Sequence, residues 1–363
     1  MKLRNMPSRQ LTLLLRVCWR LVVAAIIASP TAAMAQVGWR PYTVPVSPSS
    51  PEAIPVALYY PTQAAARAIT MGLFTVRAAP QAAPGSRFKG LIILSHGTGG
   101  SELGHSSLAE ALARSGYMVA ALRHPGDNWQ DRSLWQKPPG AFFIERPRQV
   151  SRVIDALLGD PEWKERIARD AQGPLVGALG HSAGGYTVIA LAGGQPDLTL
   201  IVQHCQDHLA DDPIFCNMGR KDPARSGGGG TNTESRDPWQ TLSSIPTLID
   251  KRVRTVVAMA PMGVVFTAPS LGNIQIPAAI YAAEQDRWLV PRFHAEWIAK
   301  NVAQAEFHQV RNAWHFAFMD RPSSPIPTPD GDAAADPPGF DRQALLTQLH
   351  AELPAYFDKA FLK

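Results

Sequence analysis

Long apolar runs are missing from this chain of 363 residues. The N-terminal run, Leu21 to Ala28, is far shorter than the roughly 20 residues that cross a bilayer, and Arg16 and Arg20 interrupt its upstream extension, which argues against a membrane span. Phosphate loops are missing as well. The glycine-rich stretch Ser95-His96-Gly97-Thr98-Gly99-Gly100 fits neither G-x-x-x-x-G-K-[ST] nor G-x-G-x-x-G, so a nucleotide site has little support. Nor is there a usable excess of charge. The net charge is +5, but five of the 35 basic residues (Lys2, Arg4, Arg9, Arg16, Arg20) lie in the first 35 positions with no acid beside them, leaving 30 basic against 30 acidic residues. A balanced remainder offers no footprint for nucleic acid. Cysteine is scarce: there are three, Cys18, Cys205 and Cys216.

The basic start, the short apolar core and Ala33-Met34-Ala35 predict a signal peptide over residues 1–35, cleaved before Gln36, with export to the periplasm or beyond. Cys18 is removed with it. In an oxidising compartment the remaining pair, Cys205 and Cys216, is expected to form a disulfide worth about 2.5 to 3 kcal/mol by loop closure, with two buried thiols as the alternative. Residues 36–363 have the length of one large α/β domain and ample material for a core.

The most informative stretch is Pro174 to Leu191. Leu175, Val176, Ala178 and Leu179 have the composition of a buried parallel strand, and Tyr186 to Leu191 continues at helical density. Between them stands Gly180-His181-Ser182-Ala183-Gly184, a match to G-x-S-x-G. A serine can present its hydroxyl from a sharp strand-to-helix turn only if the residues two before and two after it lack side chains. Gly180 and Gly184 meet that need, and the helix N-terminus points the Ala183 amide at the reacting centre.

Strands and helices alternate on either side, as a parallel sheet requires. Val56 to Tyr60 reads as an early strand and Thr62 to Arg87 as a less regular connection. Leu91 to Leu94 is a strand ending on the glycine-rich loop, where the Thr98 amide is the candidate second oxyanion donor. A helix over Ser106 to Arg114 and a strand over Tyr117 to Leu122 follow. A long loop then runs to Arg146, in which Trp129, Trp135, Phe142 and Phe143 either line a pocket or anchor the loop. Val150, Val153, Ile154, Leu157 and Leu158 recur at helical spacing. Residues 195–251 break the alternation and read as an inserted cap, with Ser226-Gly227-Gly228-Gly229-Gly230 as its hinge. His204 and His208, four apart beside Cys205, have a zinc-compatible spacing, but no further ligand pattern accompanies them.

The sheet pattern resumes at Val253 to Ala260 and Ile276 to Ala282. The loop after the latter carries Asp286, the candidate acid, with Glu284 as runner-up. Glu306 to Val310 is a last strand, and Trp314-His315-Phe316 beyond it supplies the candidate base, His315. Asp330, Asp332 and Asp336 lack the spacing and bidentate Glu of a calcium loop, and Leu345 to Phe361 closes the chain as a helix. The order Ser182, Asp286, His315 suits acyl transfer by a serine nucleophile, which needs no metal or organic cofactor. An amidase or peptidase would share the triad, and a non-catalytic binding protein would be expected to lose one of its members.

On Ser95-His96-Gly97-Thr98-Gly99, His124-Pro125-Gly126-Asp127-Asn128, Arg146-Pro147, Gly180 to Gly185 and Trp314-His315-Phe316, the chain resembles the α/β-hydrolase superfamily from about Val56 onward. Within it, the chain is similar to the secreted dienelactone-hydrolase-like branch that includes esterases akin to platelet-activating-factor acetylhydrolase. The resemblance implies a mostly parallel sheet flanked by helices and a small ester as substrate. Dienelactone hydrolases proper carry cysteine where this chain has Ser182. The phospholipid acetylhydrolases carry their acid after an earlier strand, where Pro261-Met262-Gly263 offers none.

Overall fold

The computed structural model describes residues 36–46, 51–138, 140–218 and 245–362. The expected signal peptide and the glycine run of the expected cap lie outside them. Ten strands form one sheet: β1 (Gln36–Val44), β2 (Ile54–Thr62), β3 (Arg67–Met71), β4 (Phe74–Pro80), β5 (Leu91–Ser95), β6 (Met118–Leu122), β7 (Val176–His181), β8 (Val253–Met259), β9 (Ala278–Ala283) and β10 (Ala305–Val310). Their order across the sheet is β10-β9-β8-β7-β5-β6-β2-β1-β4-β3. From β10 to β6 every neighbouring pair is parallel, while β2 runs antiparallel to β6 and β1 antiparallel to β2.

The parallel block exists because its strands are apolar on both faces. Every residue of β5, β6, β7 and β9 is buried, as strands covered by helices on both sides must be. Leu91 and Ile93 face the core shared with helices α2 (Gly140–Gly159) and α3 (Ala183–Ala192). Ile92 and Leu94 face the opposite core, shared with α1 (Ser106–Arg114) and the C-terminal helix over Arg342–Ala360. Among the described residues no helix is long and apolar enough to cross a membrane.

Two segments differ from the sequence reading. Thr62 to Arg87 is no irregular connection: it contains the hairpin β3–β4, turning at Gly72 with φ 59°. Its first strand lies largely exposed at the sheet edge, so it has little of the apolar signal that marks a strand in sequence. Second, α2 begins at Gly140, so Phe142, Phe143 and Arg146 lie on a helix rather than a loop. Pro147 sits within α2 and has no N–H for the carbonyl four residues earlier. That carbonyl, Phe143 O, accepts instead from the Tyr186 hydroxyl at 2.9 Å, which lets the helix continue through the proline. Phe142 and Phe143 are core residues, whereas Trp129 is 63% exposed.

Candidate active site

The sharp turn after β7 is present in the backbone. Ser182 has φ 58° and ψ −119°, between the last residue of β7 and the first of α3. A non-glycine residue at positive φ is strained and persists only where its surroundings hold it. Here the Ser182 N–H donates to Met259 O at 2.9 Å, while its carbonyl accepts from Met262 and Tyr186 amides. The flanking glycines are required by space. A Cβ on Gly180 would lie 2.1 Å from Gly184 O, and one on Gly184 would lie 1.9 Å from Ser95 O.

Asp286 and His315 sit on the loops beyond β9 and β10, at the same sheet end as Ser182. His315 Nδ1 donates to Asp286 Oδ2 at 2.7 Å, and both side chains are buried. Asp286 Oδ1 accepts from the amides of Trp288 (2.8 Å) and Leu289 (2.9 Å), so its carboxylate is held at both oxygens. The Trp288 indole stacks on the imidazole, ring centroids 5.7 Å apart and planes 19° apart. Glu284 is exposed and accepts from the Asn312 amide at 2.7 Å, supporting the turn before His315. His181, next to the nucleophile, donates from Nε2 to His315 O at 2.9 Å. Burial, then the neighbouring His315 and His105 rings, pushes the His181 pKa well below the usual range, so it serves as a neutral donor. This tether joins residues 134 apart in sequence and carried no local signal.

The glycine-rich loop passes against the nucleophile, since a Cβ on Gly97 would lie 3.1 Å from Ser182 Cβ. Gly99 N–H donates to Asp127 and Gly100 N–H to Gly97 O. Among the described residues the Thr98 and Ala183 amides have no protein acceptor. Two unpaired amides beside a serine can receive a developing oxyanion.

The expected disulfide is formed: Cys205, on α4 (Thr199–Asp207), pairs with Cys216, on α5 (Pro213–Asn217), across 11 residues. The His204 and His208 rings lie 5.2 Å apart but take different partners. His208 is half-buried and meets Asp211, whereas His204 is buried and meets Asp212. With His294, which sequence reading missed, His204 and Asp212 form a buried cluster of metal-ligating types. Asp212 Oδ2 accepts from His204 Nε2 at 3.0 Å and from His294 Nε2 at 2.8 Å, and among the described residues Asp212 Oδ1 has no partner. A metal on His294 Nε2 would need the ring proton moved to Nδ1. That atom already accepts the Gly263 N–H at 3.0 Å, so the proton stays on Nε2 and the cluster suits hydrogen bonding rather than ligation.

No family model matches this chain, and no curated protein sequence does. Among solved structures, a ferulic acid esterase from Streptomyces cinnamoneus shares 17% sequence identity over 92% of each chain, with a TM-score of 0.54. The fold is that of the α/β-hydrolases. At that identity the likeness carries the architecture and nothing about the reaction.

Proposed function

We propose that this chain is an exported serine hydrolase that cleaves carboxylic esters, of the dienelactone-hydrolase-like branch. The observation that carries the reading is the 2.7 Å His315–Asp286 bond, with Asp286 fixed at both oxygens, at the sheet end where Ser182 stands on a strained turn. Ser182 Oγ attacks the ester carbonyl while His315 Nε2 takes its proton, and Asp286 holds the tautomer and stabilises the imidazolium. The Thr98 and Ala183 amides receive the oxyanion, each such donor being worth roughly 2.7–4 kcal/mol in enzymes of this type. The C–O bond to the alcohol then breaks and His315 returns the proton to the leaving oxygen. Water, deprotonated by the same imidazole, releases the acid from Ser182.

Two features support the reading: the stretches His124 to Asn128 and Arg146-Pro147, which carry the resemblance to the branch, converge on the Thr98 loop, and the disulfide suits export. The test is hydrolysis of nitrophenyl esters from acetate to long acyl chains, with a ferulate ester added, by residues 36–363 and by Ser182→Ala. Turnover that falls by several orders of magnitude in the variant supports the reading, and the preferred acyl group sizes the pocket. No turnover on any ester, or an equally active variant, overturns it.

A further inference from the structure

Two stretches take no part in the chemistry above, His124 to Asn128 and Arg146-Pro147, yet they meet directly behind the loop that carries Thr98. Arg146 projects from α2 and Asp127 from the loop after β6, and both side chains are fully buried. Arg146 Nη1 donates to Asp127 Oδ2. Its Nη2 donates to the His96 carbonyl and, at 3.3 Å, to Ser95 Oγ, while Nε donates to Thr187 Oγ1 on α3 at 3.2 Å. On the other side, Asp127 Oδ1 accepts the Gly99 N–H at 3.1 Å and Trp135 Nε1 at 3.3 Å.

The chain positions of these contacts matter. The His96 carbonyl belongs to the peptide group before the one that bears the Thr98 N–H, and the Gly99 N–H belongs to the peptide group after it. One ion pair therefore holds the peptides on both sides of the candidate donor. The same guanidinium reaches α3, whose first residue, Ala183, carries the other donor.

The two imidazoles beside the pair, His96 and His124, are neutral. His124 Nδ1 donates to Gln149 Oε1 at 2.7 Å and its Nε2 accepts from Ser95 Oγ at 2.8 Å, while His96 Nε2 accepts the His124 N–H at 3.1 Å. Burial, then the adjacent Arg146, keeps both imidazoles uncharged. A buried ion pair gains little over apolar residues of the same size, so stability alone gives no reason for one here.

We propose that Asp127 and Arg146 are positioning residues that set the orientation of the Thr98 amide and tie it to the helix bearing Ala183. The inference rests on the serine-esterase reading.

Asp127→Asn and Arg146→Lys test it, with the charge-free double variant Asp127→Asn/Arg146→Gln serving if a lone buried charge prevents folding. Three quantities are read on a nitrophenyl ester that the wild type cleaves: kcat, KM, and the inhibition constant of a trifluoromethyl ketone, which forms a tetrahedral adduct with the serine. Amide hydrogen exchange over residues 95–100 is measured alongside. The expected result is a kcat lowered about 10²–10³-fold with KM within about threefold of wild type. Ketone affinity falls in step with kcat/KM, and the Gly99 amide exchanges faster. Activity within about threefold of wild type, or loss of activity with exchange over 95–100 unchanged, overturns the proposal. Failure of the esterase reading is seen separately, as Ser182→Ala with wild-type turnover; the exchange data then still decide whether the pair holds the loop.

Discussion

Two of the buried histidine–aspartate pairs among the described residues look alike in composition and differ in one nitrogen. His315 meets Asp286 through Nδ1, and among the described residues its Nε2 has no hydrogen bond. His294 meets Asp212 through Nε2, and its Nδ1 is occupied by the Gly263 amide. The first ring keeps a lone pair for proton transfer, while the second has spent both nitrogens. A carboxylate beside a buried imidazole is therefore no sign of chemistry until the far nitrogen has been accounted for. The second pair does structural work: Asp212 and His204 lie in the disulfide-linked segment, and His294 precedes the helix over Ala295–Asn301.

The sharpest way to break this contrast is to treat both acids alike. Asp286→Asn is expected to lower kcat about 10⁴-fold through the wrong imidazole tautomer, with the melting temperature little changed. Asp212→Ala reverses the pattern. It leaves kcat within about threefold of wild type but strands two buried ring N–H groups, at about 1–3 kcal/mol in urea unfolding. Equal losses of kcat in the two variants would abolish the distinction.

A smaller effect separates bridged carboxylates from merely buried ones. Burial pushes Asp212 upward, but its bonds to His204 and His294 outweigh that and hold its pKa below the ordinary range. At Asp320 and Glu110 the hydrogen bonds do not outweigh burial. Burial raises them to about 6 and about 7, against the weaker pull of Ser107 on Asp320 and of the Arg77 amide on Glu110. For an acid with a raised folded pKa, the native state binds more protons than the unfolded state. Their contribution is thus largest below pH ~4 and is lost as pH rises through about 6 and 7. The loss is at most about 1.4 kcal/mol per pH unit for each group. Urea unfolding of Asp320→Asn and Glu110→Gln across pH 4–8 should show that decline flattened. An unaltered slope would mean that both acids titrate normally.

The reach of the sequence follows from how local each feature is. The Ser182 turn, the loop at Thr98 and the loops bearing Asp286 and His315 each announce themselves within a handful of residues, because crowding and chain order constrain them there. The His294–Asp212 bond spans 82 residues and the His181–His315 tether 134, and neither has a local motif. The start of α2 was hidden by Pro147, whose cost is met by Tyr186 from another helix. The β3–β4 hairpin was hidden by its exposure at the sheet edge.

The most direct measurement of the central claim is labelling with a fluorophosphonate followed by peptide mass spectrometry. The account predicts one adduct per chain, on Ser182, with labelling abolished by His315→Gln and retained in His294→Gln. Modification of a different residue, or labelling that survives His315→Gln and is lost in His294→Gln, would contradict it.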